Sequence, residues 1–472
     1  MNKLLSAAVM LIGMAACHTA LAEETLPEGA ANVVCNYSHT LADDPILYPG
    51  KPGIAMSHDF FGNEAANGNS TAKSLQATPA STCENVADAT AYWAPSLRLA
   101  DGRIIKPSYQ KTYYTNEAIP SKTRFKVNPL PTGIQLLAGD HQGIEANPNI
   151  SFICTGMDYS NDIPTQCKPD PVNGTQFNIG ISFPTCWDGV NLAPQVMSGG
   201  PNNAAYADEN GTCPAGYPKR IPHISINVAY MVGNVFDLRG AQLSLDPTLD
   251  DKGNVIKENW GSLYTAHADF FNGWRPEAAK YMADFCMNNA IDCGKEVAYS
   301  YTEALADASV TDGDAHATNF GSDKTLTLQN GGEGYAQTNS YIRFKIPEGA
   351  SNFPKGFTPV YKLSLYGRAQ PDDLSGVGIY IYATSDDWDE NKITMDNAPA
   401  CSNATLFWMS STEMYNTYDI TPLVQSAIDA GKKTISLCVK DGTDNNFKFD
   451  IGSSESDHKP VLSLISYNEF GV

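Results

Sequence analysis

The stretch Tyr361-Lys362-Leu363-Ser364-Leu365-Tyr366 alternates apolar and polar side chains. A period of two is what a strand with one face in a core and one toward solvent requires. Working outward from it, comparable runs occur at Leu326–Leu328, Tyr341–Ile346, Val377–Ala383, Thr434–Val439, Phe447–Asp450 and Val461–Ile465. Short strands separated by polar turns predict a β-sandwich, jelly-roll-like, over residues 305–472. One helix interrupts them, with Thr421 read as N-cap, Pro422 at the first helical position, Leu423, Val424 and Ile428 as the apolar stripe and Gly431 as the stop.

Upstream the texture differs. Residues 23–294 are rich in Pro, Gly and Asn between short β-type runs such as Ile134–Ala138, Ile150–Cys154, Phe177–Phe183 and Ile221–Tyr230, with a helix expected from Pro276 to about Asn289. The fold class is therefore mainly β: a loop-rich, disulfide-bonded β domain, a linker at 295–304, and the C-terminal sandwich. The N-terminus has Lys3, an apolar run from Leu4 to about Ala16 and Ala20-Leu21-Ala22 before Glu23. That order is a signal peptide over residues 1–22, so a secreted, periplasmic or cell-surface address is expected. Met14-Ala15-Ala16-Cys17 approximates a lipobox, which makes lipidation at Cys17 the lesser alternative.

Ten of the 11 cysteines follow that segment: Cys35, Cys83, Cys154, Cys167, Cys186, Cys213, Cys286, Cys293, Cys401 and Cys438. An even set in an exported chain reads as disulfides. Eight precede residue 295 and two follow 400, so each region can pair internally. Sequential pairing is the simplest arrangement, although spacing alone leaves connectivity among the eight open; Cys401 and Cys438 have no competitor in their own domain. With 472 residues there is chain enough for two or three cores, and a net charge of -21 offers nucleic acid no broadly attractive surface. No later stretch approaches the ~18 apolar residues of a membrane-spanning helix.

Motifs in the second half occur in a telling order: Thr318-Asn319-Phe320-Gly321-Ser322-Asp323, Tyr341-Ile342-Arg343-Phe344, Trp388-x-Glu390-x-x-Ile393-Thr394-x-x-Asn397-x-Pro399, Tyr418-Asp419-Ile420-Thr421, and Ser453-x-Glu455 before Pro460-x-Leu462. Together they resemble the DNRLRE-type, family 96-like carbohydrate-binding module. Met395 stands where that family commonly has an aromatic. The first half, from Cys35 to Cys293, resembles the DUF1996 family through Asp44-Pro45-Ile46, His58-Asp59-Phe60-Phe61-Gly62, Tyr92-Trp93-Ala94-Pro95, Phe183-Pro184-Thr185-Cys186-Trp187-Asp188-Gly189 and His267-Ala268-Asp269-Phe270-x-Asn272-Gly273-Trp274. Two departures, Met56 and Asn203-Ala204, fall where that family often carries histidines.

The residues that could carry chemistry are His58, Asp59, His267 and Asp269. Histidine exchanges protons near neutrality and aspartate can orient it or take a proton, so two such pairs meeting in a cleft would make an acid–base apparatus. The same groups suit a divalent metal, or simply the hydrogen bonds of a loop-rich interior; no metal ligand set is assigned. On a strand, residues 267 and 269 share a face. Trp187, Asp188, Asn272 and Trp274 place aromatics beside polar turn groups, as sugar-binding edges do, with core packing the competing reading. Tyr113 and Tyr114 offer phenols, and Arg343 and Trp388 are the second-domain candidates for sugar contact. Asp312-Gly313-Asp314 and Asp386-Asp387-Trp388-Asp389-Glu390 read as solvated turns, with a structural Ca²⁺ as the alternative; no organic cofactor is expected.

These observations and resemblances imply a secreted, two-domain carbohydrate-binding protein acting on an extracellular polysaccharide, uronate-containing polymers included. The first domain would recognise or cleave the same glycan. The alternatives are a hydrolase or lyase using the His and Asp residues, and a non-catalytic adhesion or scaffold protein. An acidic chain holds an acidic polymer only through a local basic patch, such as Lys324, Arg343, Lys345, Lys362 and Arg368, or through a bridging Ca²⁺.

Overall fold

The computed structural model describes residues 27–332, 334–368, 376–442 and 448–468. The expected signal segment, Cys17 and Phe447 lie outside the described residues. The first domain is built on a nine-stranded antiparallel sheet in the order Ile150–Cys154, Thr175–Ser182, His223–Gly233, Tyr109–Thr115, Ala30–Leu41, His58–Gly62, Ala91–Pro95, His267–Phe271 and Gln135–Gly139. Ala30–Leu41 joins its halves: residues 30–36 pair with Tyr109–Thr115, and after an irregularity at Tyr37/His39 the strand continues beside His58–Phe61. A four-stranded sheet containing Leu97–Arg98 and Gln242–Leu249 packs beside it.

Two glycines of the sequence motifs have steric reasons. Gly62 sits at φ 77°, and a Cβ there would lie 2.1 Å from the Thr90 carbonyl oxygen; one on Gly273 would lie 2.1 Å from that of Ala89. All ten described cysteines pair sequentially: Cys35–Cys83, Cys154–Cys167, Cys186–Cys213, Cys286–Cys293 and Cys401–Cys438.

In the second domain the alternation at 361–366 places Leu363 and Leu365 in the core, within the strand Val360–Arg368. That strand pairs with Met414–Asp419 on one edge and with Val461–Ile465 and Lys448–Gly452 on the other. Thr338–Lys345 lies between Ala306–Thr311 and Thr434–Asp441, with Gly376–Thr384 and Ser402–Ser410 beyond. The two layers meet at the single pair Gln329–Thr338 and pack Ile342, Phe344, Leu437 and Val439 against Leu326, Leu363, Phe449 and Leu464. This is the face-to-face sandwich.

Three details correct the sequence reading. The stretch 295–304 is no free linker, since Ser300–Glu303 pairs with Val461–Ile465 and Val297 and Ala298 are buried. The first-domain helix is α-helical only over Pro276–Tyr281 and continues as a π-helix over Met282–Met287. Thr421 is the first helical residue rather than the N-cap, because its hydroxyl accepts the Tyr361 N–H at 2.8 Å and so ties the helix to the central strand. The domains also pack together: Phe285 meets Tyr415 with ring centres 4.8 Å apart, and Asn85 Nδ2 donates to the Lys295 and Val297 carbonyls.

Candidate functional site

A cavity of about 450 Å³ opens in the first domain. Asp44, Tyr48, His141, Tyr206, Asp246, His267 and Asp269 supply its titratable groups, and Leu47, Met56, Leu137, Val196 and Met197 its apolar wall. His267 and Asp269 reach it from one face of the strand His267–Phe271, as the period of two requires. Asp44 is held at a loop by its Oδ1, which accepts the Ile46 and Leu47 N–H groups at 2.8 and 2.9 Å. Asp246 comes from the smaller sheet and accepts a hydrogen bond from the Tyr48 hydroxyl at 2.8 Å. Met56 and Ala204, where the related family often has histidines, both line this cavity.

His58 lies behind the lining, 1% exposed, its ring perpendicular to that of His267 with centres 6.0 Å apart. Each of the two imidazoles donates Nδ1–H to a backbone carbonyl, His58 to Asp43 and His267 to Thr265, both at 2.9 Å. A carbonyl can only accept, so Nε2 of each ring carries the lone pair. One nitrogen from each ring and a carboxylate oxygen of Asp269 lie within 4.8 Å of one another. Burial drives both imidazoles down to about 4, and the neighbouring His58 and His141 rings lower His267 further, so both are neutral at pH 7. Burial, then the charges of Asp44 and Asp246, push Asp269 far above the usual carboxylate range; burial also raises Asp44.

Asp59 is not part of this group. Being next to His58 on a strand, it points to the opposite face, where it accepts from the Thr40 hydroxyl and burial raises it to about 6. Tyr114 and Trp274 are fully buried: the Trp274 indole N–H donates to the Tyr114 oxygen at 2.9 Å, and Tyr114 shares a 2.6 Å hydrogen bond with Tyr92, whose hydroxyl donates to Asp88. Asn272 bonds the Pro131 carbonyl and the Trp274 N–H. Trp187 donates its indole N–H to the Asn191 carbonyl, and Asp188 accepts the Val190 and Asn191 N–H groups of its own turn. These four side chains and Tyr114 therefore build the scaffold around the cavity and do not line it. Tyr113, on the adjacent strand position, is exposed.

In the second domain, the Arg343 guanidinium stacks on Trp388 at 4.3 Å and donates to the Asp386 and Trp388 carbonyls, so that ring face is already covered. Met395 is half-buried and packs, with Trp388 and Ala398, against the core cluster around Ile393. Asp312 accepts the Gln337 N–H, Asp386 accepts from Ser436 and Thr434, Glu390 accepts the Asp307 N–H, and Asp389 pairs with Lys392. Among the described residues these carboxylates do not converge as a ligand set. Sequence reasoning missed Trp408, 61% exposed beside exposed Leu406 on the strand Ser402–Ser410, with Tyr380 opposite Leu406 on the neighbouring strand. Alternation places 406 and 408 on one face, and that was the available signal.

Residues 44–274 match the family model described as "Domain of unknown function (DUF1996)", and residues 298–466 match "Carbohydrate-binding module family 96". The chain thus joins a DUF1996 domain to a family 96 carbohydrate-binding module, and carbohydrate is its partner through the latter. No curated protein matches the chain. A solved structure titled "Structure of infectious bursal disease virus Gx strain" aligns over 94% of this chain and 77% of that chain at 9% identity, with a TM-score of 0.08 that carries no argument. Among the described residues no helix is long and apolar enough to cross a membrane.

Proposed function

We propose that this is an exported polysaccharide-active protein in which the second domain holds the polymer and the first takes a saccharide segment into the His267–Asp269 cavity and cleaves it by acid–base chemistry. One observation carries the reading: buried, pKa-shifted groups from separate strands and loops converge on a cavity large enough for a sugar unit. The carboxyl of Asp269, held protonated by burial, can give a proton to a leaving oxygen. The neutral imidazole of His267 can take one, and the apolar wall suits the C–H face of a sugar. On the second domain, Trp408 with Leu406 and Tyr380 supports stacking of a sugar ring. The five disulfides agree with an oxidising compartment.

The test is incubation of the mature chain with soluble and insoluble glycans, neutral and uronate-containing, scoring co-sedimentation and new reducing or unsaturated ends. The expected result is binding together with new ends that Asp269→Asn abolishes. Binding with no product from any bound polymer would overturn the catalytic part.

A further inference from the structure

The cavity poses an electrostatic problem of its own. Asp44, Asp246 and Asp269 all face it, and its lining contains no Lys or Arg. Asp44 and Asp269 are buried and Asp246 is half-buried, so three carboxylates of one sign crowd a partly dry space, a cost that a cation or a proton relieves. Beside them, Nε2 of His58 is buried without a hydrogen-bond partner, on a residue 1% exposed. An orphaned buried acceptor is a cost unless something outside the polypeptide meets it.

The two imidazoles are also arranged as ligands are. Each is oriented through Nδ1–H to a backbone carbonyl at 2.9 Å, the outer contact that fixes the ring and leaves Nε2 free to bind a metal. The carboxylate of Asp269 completes a two-nitrogen, one-oxygen set whose donor atoms all lie within 4.8 Å of one another. Donors at about 2.1 Å from one ion stand at most about 4.2 Å apart, so movements of under about 1 Å per atom close the set.

From this geometry we propose that His58, His267 and Asp269 bind one divalent transition-metal ion of the zinc class, with an open coordination position facing the cavity. Three protein ligands with an open fourth position is the pattern of zinc sites that work on a substrate or water rather than hold a fold together. Borderline-soft nitrogen donors favour zinc over Ca²⁺ or Mg²⁺, which prefer oxygen alone. Asp44 and Asp246 remain unligated on the walls and keep the second sphere acidic. The bound cation also changes what the cavity can accept: without it a uronate meets three aspartates, and with it a sugar carboxylate or hydroxyl has an electrophile to approach. This inference bears on the proposed use of the cavity without depending on the polymer's identity: ligation takes Asp269 as its carboxylate and occupies Nε2 of His267, so the proton-donor and proton-acceptor roles given to these two groups belong to the metal-free chain.

The test uses the full mature chain stripped with a chelator and titrated with Zn²⁺ by calorimetry. One equivalent is expected, weakened by more than about 100-fold in Asp269→Asn and in His267→Gln. His316→Ala, which removes an exposed imidazole of the second domain paired with Asp396, should bind as the parent does. A second measurement needs no variant: Co²⁺ added to the stripped parent should give the visible absorption of a low-symmetry four- or five-coordinate site, displaced by one equivalent of Zn²⁺. Absence of stoichiometric uptake, affinity unchanged in both ligand variants, or a Co²⁺ spectrum equal to that of the aqua ion would overturn the site. Metal uptake without glycan cleavage would sustain the site and sink the catalytic reading; cleavage insensitive to chelation, without uptake, would do the reverse.

Discussion

Removing one buried oxygen separates scaffold from site. In Tyr114→Phe the Trp274 indole N–H loses its acceptor, and Tyr92 loses the neighbour that shares its hydroxyl at 2.6 Å while keeping Asp88. All three rings are fully buried, so water cannot substitute. Two hydrogen bonds at about 1 kcal/mol each, plus about 1–2 kcal/mol for an indole N–H left unsatisfied, give about 3–4 kcal/mol. For a domain of this size that lowers the melting temperature by about 5–15 °C. Scanning calorimetry reads the loss, and glycan binding and cleavage per folded molecule, measured well below the transition, should equal the parent's. A melting temperature within about 2 °C of the parent, with cleavage abolished, would refute the assignment of Tyr114 to the scaffold and restore its phenol as a chemical group.

Other consequences follow from named groups. Asp307, 1% exposed with Oδ1 unpaired, is raised from 3.8 to about 7 by burial and then by nearby carboxylates. A raised folded-state pKa favours the fold fully below 3.8 and loses that contribution as pH rises through about 7, a change of about 4 kcal/mol. Urea denaturation should therefore show the parent losing stability between pH 4 and 8 (about that span), with Asp307→Asn flatter and more stable at the alkaline end; an identical pH profile would contradict this. Loop entropy predicts that replacing Cys35 and Cys83, 48 apart, by Ala costs about 4 kcal/mol and replacing Cys286 and Cys293, 7 apart, about 2.4 kcal/mol. Equal denaturation midpoints for the two double variants would be the wrong outcome. Trp408→Ala should weaken co-sedimentation with the bound polymer about 10-fold or more while leaving the melting temperature within about 2 °C, as loss of an exposed stacking ring should.

Much of this architecture is legible in the residues because it follows from local rules. Period-two alternation at 361–366 marks a central strand, and sequential pairing, the simplest of the arrangements the cysteine spacing leaves open, is the one the fold adopts. The family motifs place both domains in order. The site was half legible. The same alternation that puts His267 and Asp269 on one face separates Asp59 from His58, so adjacency in the motif is misleading where spacing is not. Asp44, Tyr48 and Asp246 reach the cavity from a loop and a second sheet, and long-range pairing of that kind leaves no local pattern. Trp274, Asn272 and Trp187 look like sugar-binding edges in sequence because aromatic rings beside turn groups serve equally to lock a loop-rich core. Nothing short of the packed structure tells these uses apart.

We propose that carbohydrate is worked on in the first-domain cavity as well as held by the second domain. The most direct measurement is a crystal structure of the Asp269→Asn chain soaked with an oligosaccharide from whichever polymer it binds. Saccharide density is expected against Asp44, Asp246 and His267, with the sugar ring along the Leu137–Met197 wall. Saccharide found on the second domain alone, with the cavity holding none at saturating ligand, would contradict it.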